Sequence, residues 1–304
     1  MKKAQGVQFN WIFVVVSGAI LIIFFSGFGI KYAELQKNRE NAEIARGIDR
    51  IINGLRGQEQ YKTIDINANF KFEFNCDSFT INDNYVQNLN GKIIFTQDNL
   101  KVNKLYAWTK EFKKAYKIDN FVYLVDSNKD YYLIKDGNEE YASKIYNELP
   151  SIFTNFKTLY FDELIKSQLG KNNEFVFFSE SSQDQINELK EKGDLLIIDS
   201  INNIVTFNKN EKAKVLNEAL VYGAIFSGSY NAYKCGYDQL TEKFSNINNI
   251  YIKKAEYLQS CCSTGFCDYS LVKSSLLNYN IESDDNVIKL LNAQLYNSNC
   301  KVVF

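Results

Sequence analysis

The chain has 304 residues, of which 45% are hydrophobic and 15% aromatic, and its 35 basic and 36 acidic side chains give a net charge of −1. No block of like charge occurs, which argues against nucleic acid as a partner, since a basic stripe is the usual footprint of such proteins. The chain contains no histidine, and this excludes Ser-His-Asp and Cys-His catalysis as well as every histidine-ligated metal site. The high aromatic content predicts a folded body rather than a disordered one.

An uncharged apolar segment lies near the N-terminus. No side chain between Ala4 and Ile30 carries a charge. A helix needs about 20 apolar residues to cross a bilayer core, and a helix also satisfies its own backbone there. The sequence therefore predicts an N-terminal tail at residues 1–8 and a transmembrane helix at residues 9–30, with the lipid bilayer as a partner. The alternative, a buried core helix, rarely lacks charge over such a length.

A helical stalk is predicted to follow at residues 31–57. This stretch has no proline and is rich in Glu, Lys, Gln, Arg and Ala, which are all good helix formers. Ala45, Ile48, Ile52 and Leu55 recur at a 3–4–3 spacing and form a narrow apolar seam. Such a seam either packs on the chain's own body or mediates self-association.

The segment from Lys2 to Gly6, followed by a long apolar helix and a stalk, resembles the N-terminus of archaeal type IV pilin-like precursors. In that family a membrane-embedded peptidase cuts just before the apolar stretch, and the freed helix packs into a filament core. The resemblance covers about residues 1–55. It implies that Gly6 precedes the cut and that Val7 follows it. Bacterial-type pilins carry an early acidic residue in the apolar run, whereas here none precedes Glu34.

The layout of the whole chain is also similar to that of single-pass membrane-anchored proteins of small-genome archaea. Three regions follow the stalk: an antiparallel β region at residues 58–117, an α/β domain at 118–210 and a helical, cysteine-containing region at 211–304. Strict alternation of apolar and polar residues over 61–76 predicts a strand with one buried face. The expected fold class is therefore α/β for the domain at 118–210 and α+β for the chain as a whole.

The α/β prediction depends on short, continuous apolar strands that alternate with helices of about ten residues over 118–210. That pattern is typical of βαβ units and a mostly parallel sheet. Further along, apolar residues at a 3–4 spacing over 230–258 predict a long helix. This helix either lies across its own α/β domain or forms an intermolecular coiled coil.

Four acidic residues follow predicted strands or their ends: Asp126, Asp162, Glu180 and Asp199. Ligands of doubly wound sheets lie beyond the carboxyl ends of the strands, and oxygen ligands suit Mg²⁺ or Ca²⁺. These acids are therefore weak candidates for a metal site in a membrane-tethered enzyme. The alternative is that these strand ends are solvent-exposed edges, where an acid often caps the next helix. No base or nucleophile accompanies them at a fixed spacing, so no catalytic residue is assigned and no cofactor is expected.

The chain has an even number of cysteines: Cys76, Cys235, Cys261, Cys262, Cys267 and Cys300. An even number on a membrane-anchored chain favours disulfide bonds in an oxidising space. A zinc site built from Cys235 and the cysteines at 261–267 is the alternative, but the usual Cys-x2-Cys pair is absent. We expect Cys235 to pair with one of the cysteines at 261–267. Cys76 is expected to stay free, because it lies on the buried face of its predicted strand.

The cysteines also decide the expected orientation, because the charges on the two sides of the apolar segment are nearly balanced. Disulfides place the N-terminus inside the cell and the body outside. The sequence thus predicts a single-pass, extracytoplasmic structural or interaction protein of the cell membrane. It would be pilin-like or part of a cell-surface assembly, with self-association or a surface partner. A membrane-tethered metal enzyme is the alternative, and a cytoplasmic-facing adaptor would require reduced cysteines.

Overall fold

A single helix, α1 (Ala4–Leu55), runs through both the apolar segment and the stalk. The computed structural model describes residues 4–57, 59–179, 183–208, 210–262 and 267–304, without the side chains of 4–10, 67–69 and 183. Helix α1 is long and apolar enough to span a membrane, and none of its most apolar stretch is buried in the body. At about 1.5 Å per residue, the part from Ile30 to Leu55 extends about 37 Å beyond the apolar segment.

The first sheet has six strands. Their bounds are β1 (Tyr61–Phe74), β2 (Ser78–Ile81), β3 (Tyr85–Asn88), β4 (Ile94–Phe95), β5 (Asn99–Lys113) and β6 (Lys117–Asp126). They lie in the order β3-β2-β1-β5-β6-β4. All neighbours are antiparallel except β4, which runs parallel to β6. Strand β1 confirms the strand that the alternation over 61–76 predicted.

Strand β6 belongs to this antiparallel sheet, although the sequence placed it at the start of the α/β domain. It pairs with β5 along nearly its whole length. The connection between the two strands consists only of residues 114–116, which is far too short for the crossover that a parallel neighbour needs. The α/β sheet therefore begins after β6, and the expected start at residue 118 was wrong.

The second sheet contains strands and helices in alternation. In chain order they are β7 (Asp130–Ile134), α2 (Glu139–Asn147), β8 (Phe156–Leu159), α3 (Phe161–Lys166), β9 (Asn173–Phe177), α4 (Gln183–Leu189), β10 (Asp194–Asp199), β11 (Ile204–Phe207) and β12 (Lys212–Lys214). The strand order is β12-β11-β10-β9-β7-β8. The pairs among β7, β8, β9 and β10 are parallel, and β11 and β12 add antiparallel neighbours. The α+β class with a mostly parallel sheet is thus confirmed.

The remaining helices are α5 (Glu218–Ser227), α6 (Tyr230–Cys262), α7 (Ser270–Leu277) and α8 (Asn286–Asn297). Helix α5 is apolar on all sides and is buried throughout after its first residue, as expected of a helix enclosed by other elements. It packs between the first sheet and β10. Gly228 adopts a left-handed conformation (φ 63°) that ends α5 and allows α6 to start nearby.

Helix α6 lies against the chain's own body. Its buried side chains include Tyr233, Leu240, Phe244 and Leu258, which belong to the largest core cluster together with residues of both sheets. This contact confirms the interpretation of a long helix laid across its own domain. The apolar side chains at the 3–4 spacing fill the intramolecular core.

The apolar seam of the stalk also packs on the body. Ala45, Ile48, Ile52 and Leu55 are at most 4% exposed and contact one face of the first sheet. Packing on the chain's own body, rather than self-association through the seam, is thus the arrangement that the structure shows. On the same helix Asp49 forms an ion pair of 2.7 Å with the buried Lys92.

Charged groups tie the end of the stalk to β6 and α6. Asp119 of β6 accepts from Arg56 at 2.9 Å and from Lys243 of α6 at 2.6 Å. Because Asp119 is largely buried, both contacts are shielded from water and are stronger than surface ion pairs. The stalk, the first sheet and α6 are therefore joined at one point.

All six cysteines form disulfides: Cys76–Cys235, Cys261–Cys262 and Cys267–Cys300. Disulfide bonding was predicted, but the expectation that Cys76 is free and that Cys235 pairs within 261–267 was wrong. Strand β1 ends at Phe74, so Cys76 leaves the buried face and is exposed. It lies beside the first turns of α6, with its Cα 5.4 Å from that of Cys235.

The stalk packing predicts a stability effect. Ile52→Ala should lower the free energy of unfolding by about 2–5 kcal/mol, because it leaves a cavity under the first sheet. Arg50→Ala, an exposed position on the same helix, should change it by less than about 0.5 kcal/mol. Denaturant unfolding of the full chain in detergent micelles, followed by near-ultraviolet circular dichroism, measures both. Equal small effects would show that the stalk does not unfold together with the body.

The disulfides should differ in their contributions. Replacing Cys76 and Cys235 by Ala should cost about 2–5 kcal/mol, because that bond joins residues 159 positions apart and restricts the unfolded chain. Replacing the adjacent Cys261 and Cys262 by Ala is the matched control and should cost much less. The same unfolding assay without reductant tests this order, and a reversed order would contradict it.

Candidate functional site

The candidate metal ligands that follow β6 and β10 each cap a turn. Asp126 accepts a hydrogen bond of 2.7 Å from the backbone N–H of Asn128. Asp199 accepts bonds of 3.0 Å from the backbone N–H groups of both Ile201 and Asn202. Each carboxylate is therefore engaged by the loop that immediately follows its own strand.

The other two candidates do not complete a site with them. Asp162 lies in the first turn of α3, and Glu180 lies outside the described residues. Asp126 belongs to the first sheet, whereas Asp199 belongs to the second. Within the described ranges, no three Asp, Glu, Cys or His side chains come together in a way that could hold a metal ion.

The two turn-capping acids have opposite electrostatic environments. Burial raises the pKa of Asp126, although the hydrogen bond from Asn128 and the charge of Lys129 act in the other direction. The backbone and side-chain hydrogen bonds from Asn202 lower the pKa of the half-buried Asp199. Ionisation of Asp126 therefore disfavours the folded state, whereas ionisation of Asp199 favours it.

A buried group of charges that the sequence analysis missed lies at the opposite edge of the parallel strands. Lys129 Nζ is 2.6 Å from a Glu174 oxygen and 2.9 Å from an Asp194 oxygen. Lys129 and Glu174 are each 1% exposed. Burial disfavours the charge of Lys129, but the facing carboxylates raise its pKa. These ion pairs join the starts of β7, β9 and β10 and have the geometry of a structural contact.

An open groove of about 590 Å³ lies where the β5–β6 turn meets α6 and α8. We call it the lysine–tyrosine groove. Its lining consists of Lys113, Ala115, Tyr116, Lys117, Tyr251, Lys289, Asn292, Ala293, Tyr296, Val302 and Phe304. Its volume falls within the range of about 300–1,000 Å³ that is common for ligand clefts.

The groove lies beyond the end of the stalk, on the side of the body away from the apolar segment. The hydroxyl of Thr109 in β5 donates to the carbonyl of Leu55, the last residue of α1. Strand β5 runs alongside the stalk and continues beyond this point to Lys113, which adds about 13 Å at about 3.3 Å per residue. The groove is therefore presented at the tip of the molecule if α1 spans a membrane.

The rim of the groove is basic. Lys289 is 2.8 Å from Asp285, and Lys117 is 3.7 Å from Glu111. In the part of the chain that the structure describes, Lys113 has no side-chain partner, and neither Asp nor Glu is among the lining residues. Because its lysines outnumber the acids that face them, the groove attracts anionic groups.

The floor of the groove is a fixed aromatic cluster. The ring centroid of Tyr116 is 4.4 Å from that of Tyr251 and 5.4 Å from that of Phe304. The hydroxyl of Tyr116 donates to Asn248 at 2.8 Å, and burial raises its pKa, so this group stays neutral. Beside this floor Tyr296 is 72% exposed. The arrangement offers flat apolar faces to a ligand that also carries negative charge.

One wall of the groove is a stretch of backbone without regular secondary structure at residues 301–304. The side-chain amide of Asn292 donates to the carbonyl of Phe304 at 2.7 Å and accepts from the N–H of Val303 at 2.8 Å. The groove thus brings together the β5–β6 turn, α6, α8 and this stretch. No single stretch of sequence carries its pattern, so the sequence analysis missed it.

Comparisons of the chain with protein-family models, with curated proteins and with solved structures found no match. The fold and the groove define an α+β body that is joined to one long apolar helix. The function is therefore inferred from the residues of this chain alone.

The two capping acids predict opposite pH effects. Asp126→Asn keeps the acceptor oxygen and removes a charge whose pKa is raised by folding. The free energy of unfolding of this variant, relative to the unchanged protein, should therefore rise as pH increases from about 4 to 7. For Asp199→Asn, which removes a charge whose pKa is lowered by folding, the same difference in the free energy of unfolding should fall as pH increases from about 2 to 5.

Denaturant unfolding at several pH values within these ranges measures both differences. The two variants serve as controls for each other, because a general effect of acid would shift them in the same direction. If the stability differences of the two variants change in the same direction with pH, the opposite pKa shifts of Asp126 and Asp199 are contradicted. Calorimetry with Mg²⁺ and Ca²⁺ completes the test, and micromolar binding that both substitutions abolish would restore the metal-site hypothesis.

Proposed function

We propose that the chain is a single-pass membrane protein whose body lies outside the cytoplasm and has a structural or interaction role. The observation that carries this proposal is the continuity of α1, which links an unburied apolar segment to a seam buried under the first sheet. A body attached in this way is held at a fixed height and angle relative to the apolar segment. The lysine–tyrosine groove is the surface that this arrangement presents to partners.

The three disulfides support the extracytoplasmic location. Such bonds persist in oxidising compartments and are rare where thiols are kept reduced. Cys76 is exposed, and its bond with Cys235 connects the first sheet to α6. A bond in this position would be open to cytoplasmic reductants. The N-terminus is accordingly proposed to lie inside and the body outside.

A pilin-like role is the narrower form of the proposal. It is supported by the resemblance over about residues 1–55 and by the unbroken helix from Ala4 to Leu55. Gly6 and Val7 would flank the processing site, and the exposed apolar half of α1 would mediate assembly with other subunits. The membrane-tethered metal enzyme is not proposed, because Asp126 and Asp199 cap separate turns on different sheets and Asp162 lies in the first turn of α3.

The proposed topology predicts an outcome for surface proteolysis. Intact cells that express the chain with a C-terminal epitope tag should lose the tag when treated with a membrane-impermeant protease. A cytoplasmic marker protein in the same cells should remain intact. The reason is that a body outside the membrane has exposed loops within reach of the protease. Protection of the tag until the cells are lysed would overturn the proposal.

The N-terminus of the membrane-extracted protein tests the narrower form separately. A mature chain that begins at Val7, and whose processing is blocked in a Gly6→Val variant, would support the pilin-like role. A chain that still begins at Met1 would contradict it without affecting the topology.

A further inference from the structure

We propose that the lysine–tyrosine groove binds an acidic, extended peptide segment of a partner protein. This inference deepens the proposed function, on which it rests in taking the groove as the partner-binding surface. Three features of the groove support it: the charge of the rim, the unpaired backbone of Val302 in one wall and the aromatic floor.

The rim selects for negative charge. Lys113, Lys117 and Lys289 line the groove, and neither Asp nor Glu is among its described lining residues. Asp285 pairs with Lys289 at 2.8 Å and Glu111 lies 3.7 Å from Lys117, which leaves Lys113 without an acidic partner among the described residues. A segment that carries Asp or Glu is therefore complementary, and a basic segment is repelled.

The wall offers a backbone edge to a ligand. Val303 and Phe304 are held on α8 through Asn292. Among the described residues, no hydrogen-bond partner is found for the backbone of Val302, which lines the groove. A peptide strand that runs alongside can pair with this edge, as in recognition by strand addition. An acidic polysaccharide could use the lysines but would leave this edge unpaired.

The floor selects for apolar groups between the charges. Alternate side chains of an extended peptide point to opposite sides. One set can lie on Tyr116 and Tyr251 while the other reaches the lysines. Tyr296 adds an exposed ring at the side of the groove. The matching segment thus alternates acidic residues with aromatic or large aliphatic ones.

The test uses the full chain in detergent micelles and a fluorescein-labelled peptide of about eight residues, a common strand length, in which Glu alternates with Tyr. Fluorescence anisotropy should show saturable binding. The double variant Lys113→Glu with Lys117→Glu should weaken it by at least about tenfold. The matched control, Lys62→Glu with Lys190→Glu, reverses two exposed lysines outside the groove and should change binding by less than about twofold.

Additional variants and competitors distinguish a peptide ligand from a polysaccharide ligand. Tyr296→Ala should weaken binding, whereas Tyr257→Ala, an equally exposed tyrosine outside the lining, should not. A peptide methylated on alternate backbone nitrogens should bind more weakly than the unmodified one, because it cannot pair with residues 301–304. A polymer of uronic acid should compete poorly.

Two results would overturn the proposal. One is the absence of saturable binding, or equal weakening by the groove variants and their controls. The other is lysine-dependent binding that methylation leaves unchanged and that the uronic acid polymer abolishes, since this would identify a site for acidic polysaccharide. Neither result depends on orientation in the membrane, so failure here is distinguishable from failure of the proposed topology.

Discussion

The packing of the second half of α1 onto the first sheet is the contact on which the rest of the arrangement depends. Backbone inside a bilayer has to be helical, and the stalk continues that helix because nothing in it ends the hydrogen-bond ladder before Leu55. The seam from Ala45 to Leu55 is buried, so the body cannot rotate about the stalk without exposing it. The position of every surface feature relative to the apolar segment follows from this one contact.

The first sheet can serve as a foundation because both of its faces are covered. In β6, Val122 and Leu124 face the stalk side, whereas Phe121, Tyr123 and Val125 face the large core that contains α5 and α6. The hydroxyl of Tyr123 donates to the backbone of α5 at 2.7 Å, so this buried polar group is satisfied. The stalk, the first sheet, the central helices and the second sheet therefore form successive layers of one packed unit.

Local sequence patterns predicted the type and position of single helices and strands, but they did not predict which elements pack against one another. Apolar–polar alternation predicted β1, continuous apolar runs predicted β6, β9 and β10, and the 3–4 spacing predicted α6. Each of these patterns reflects which side chains of a single element are buried. The partner of β6, the pairing of Cys76 and the separate loops of Asp126 and Asp199 depend on how distant elements meet. Periodicity carries no such information. The groove was missed for the same reason, since its floor joins Tyr116 to Tyr251 and Phe304.

The balanced composition of the chain conceals a separation of charge along the stalk direction. A smaller cavity of about 320 Å³ between the stalk and β1 has Glu40, Glu43 and Asp65 among its lining residues and no lysine or arginine. The groove at the far end has three lysines and no acid among the described lining residues. A net charge of −1 argues against an extended polyanion as a partner, but it does not determine the local charge of a single groove. The arrangement of nearby charges, rather than their sum, sets the field that a short ligand meets.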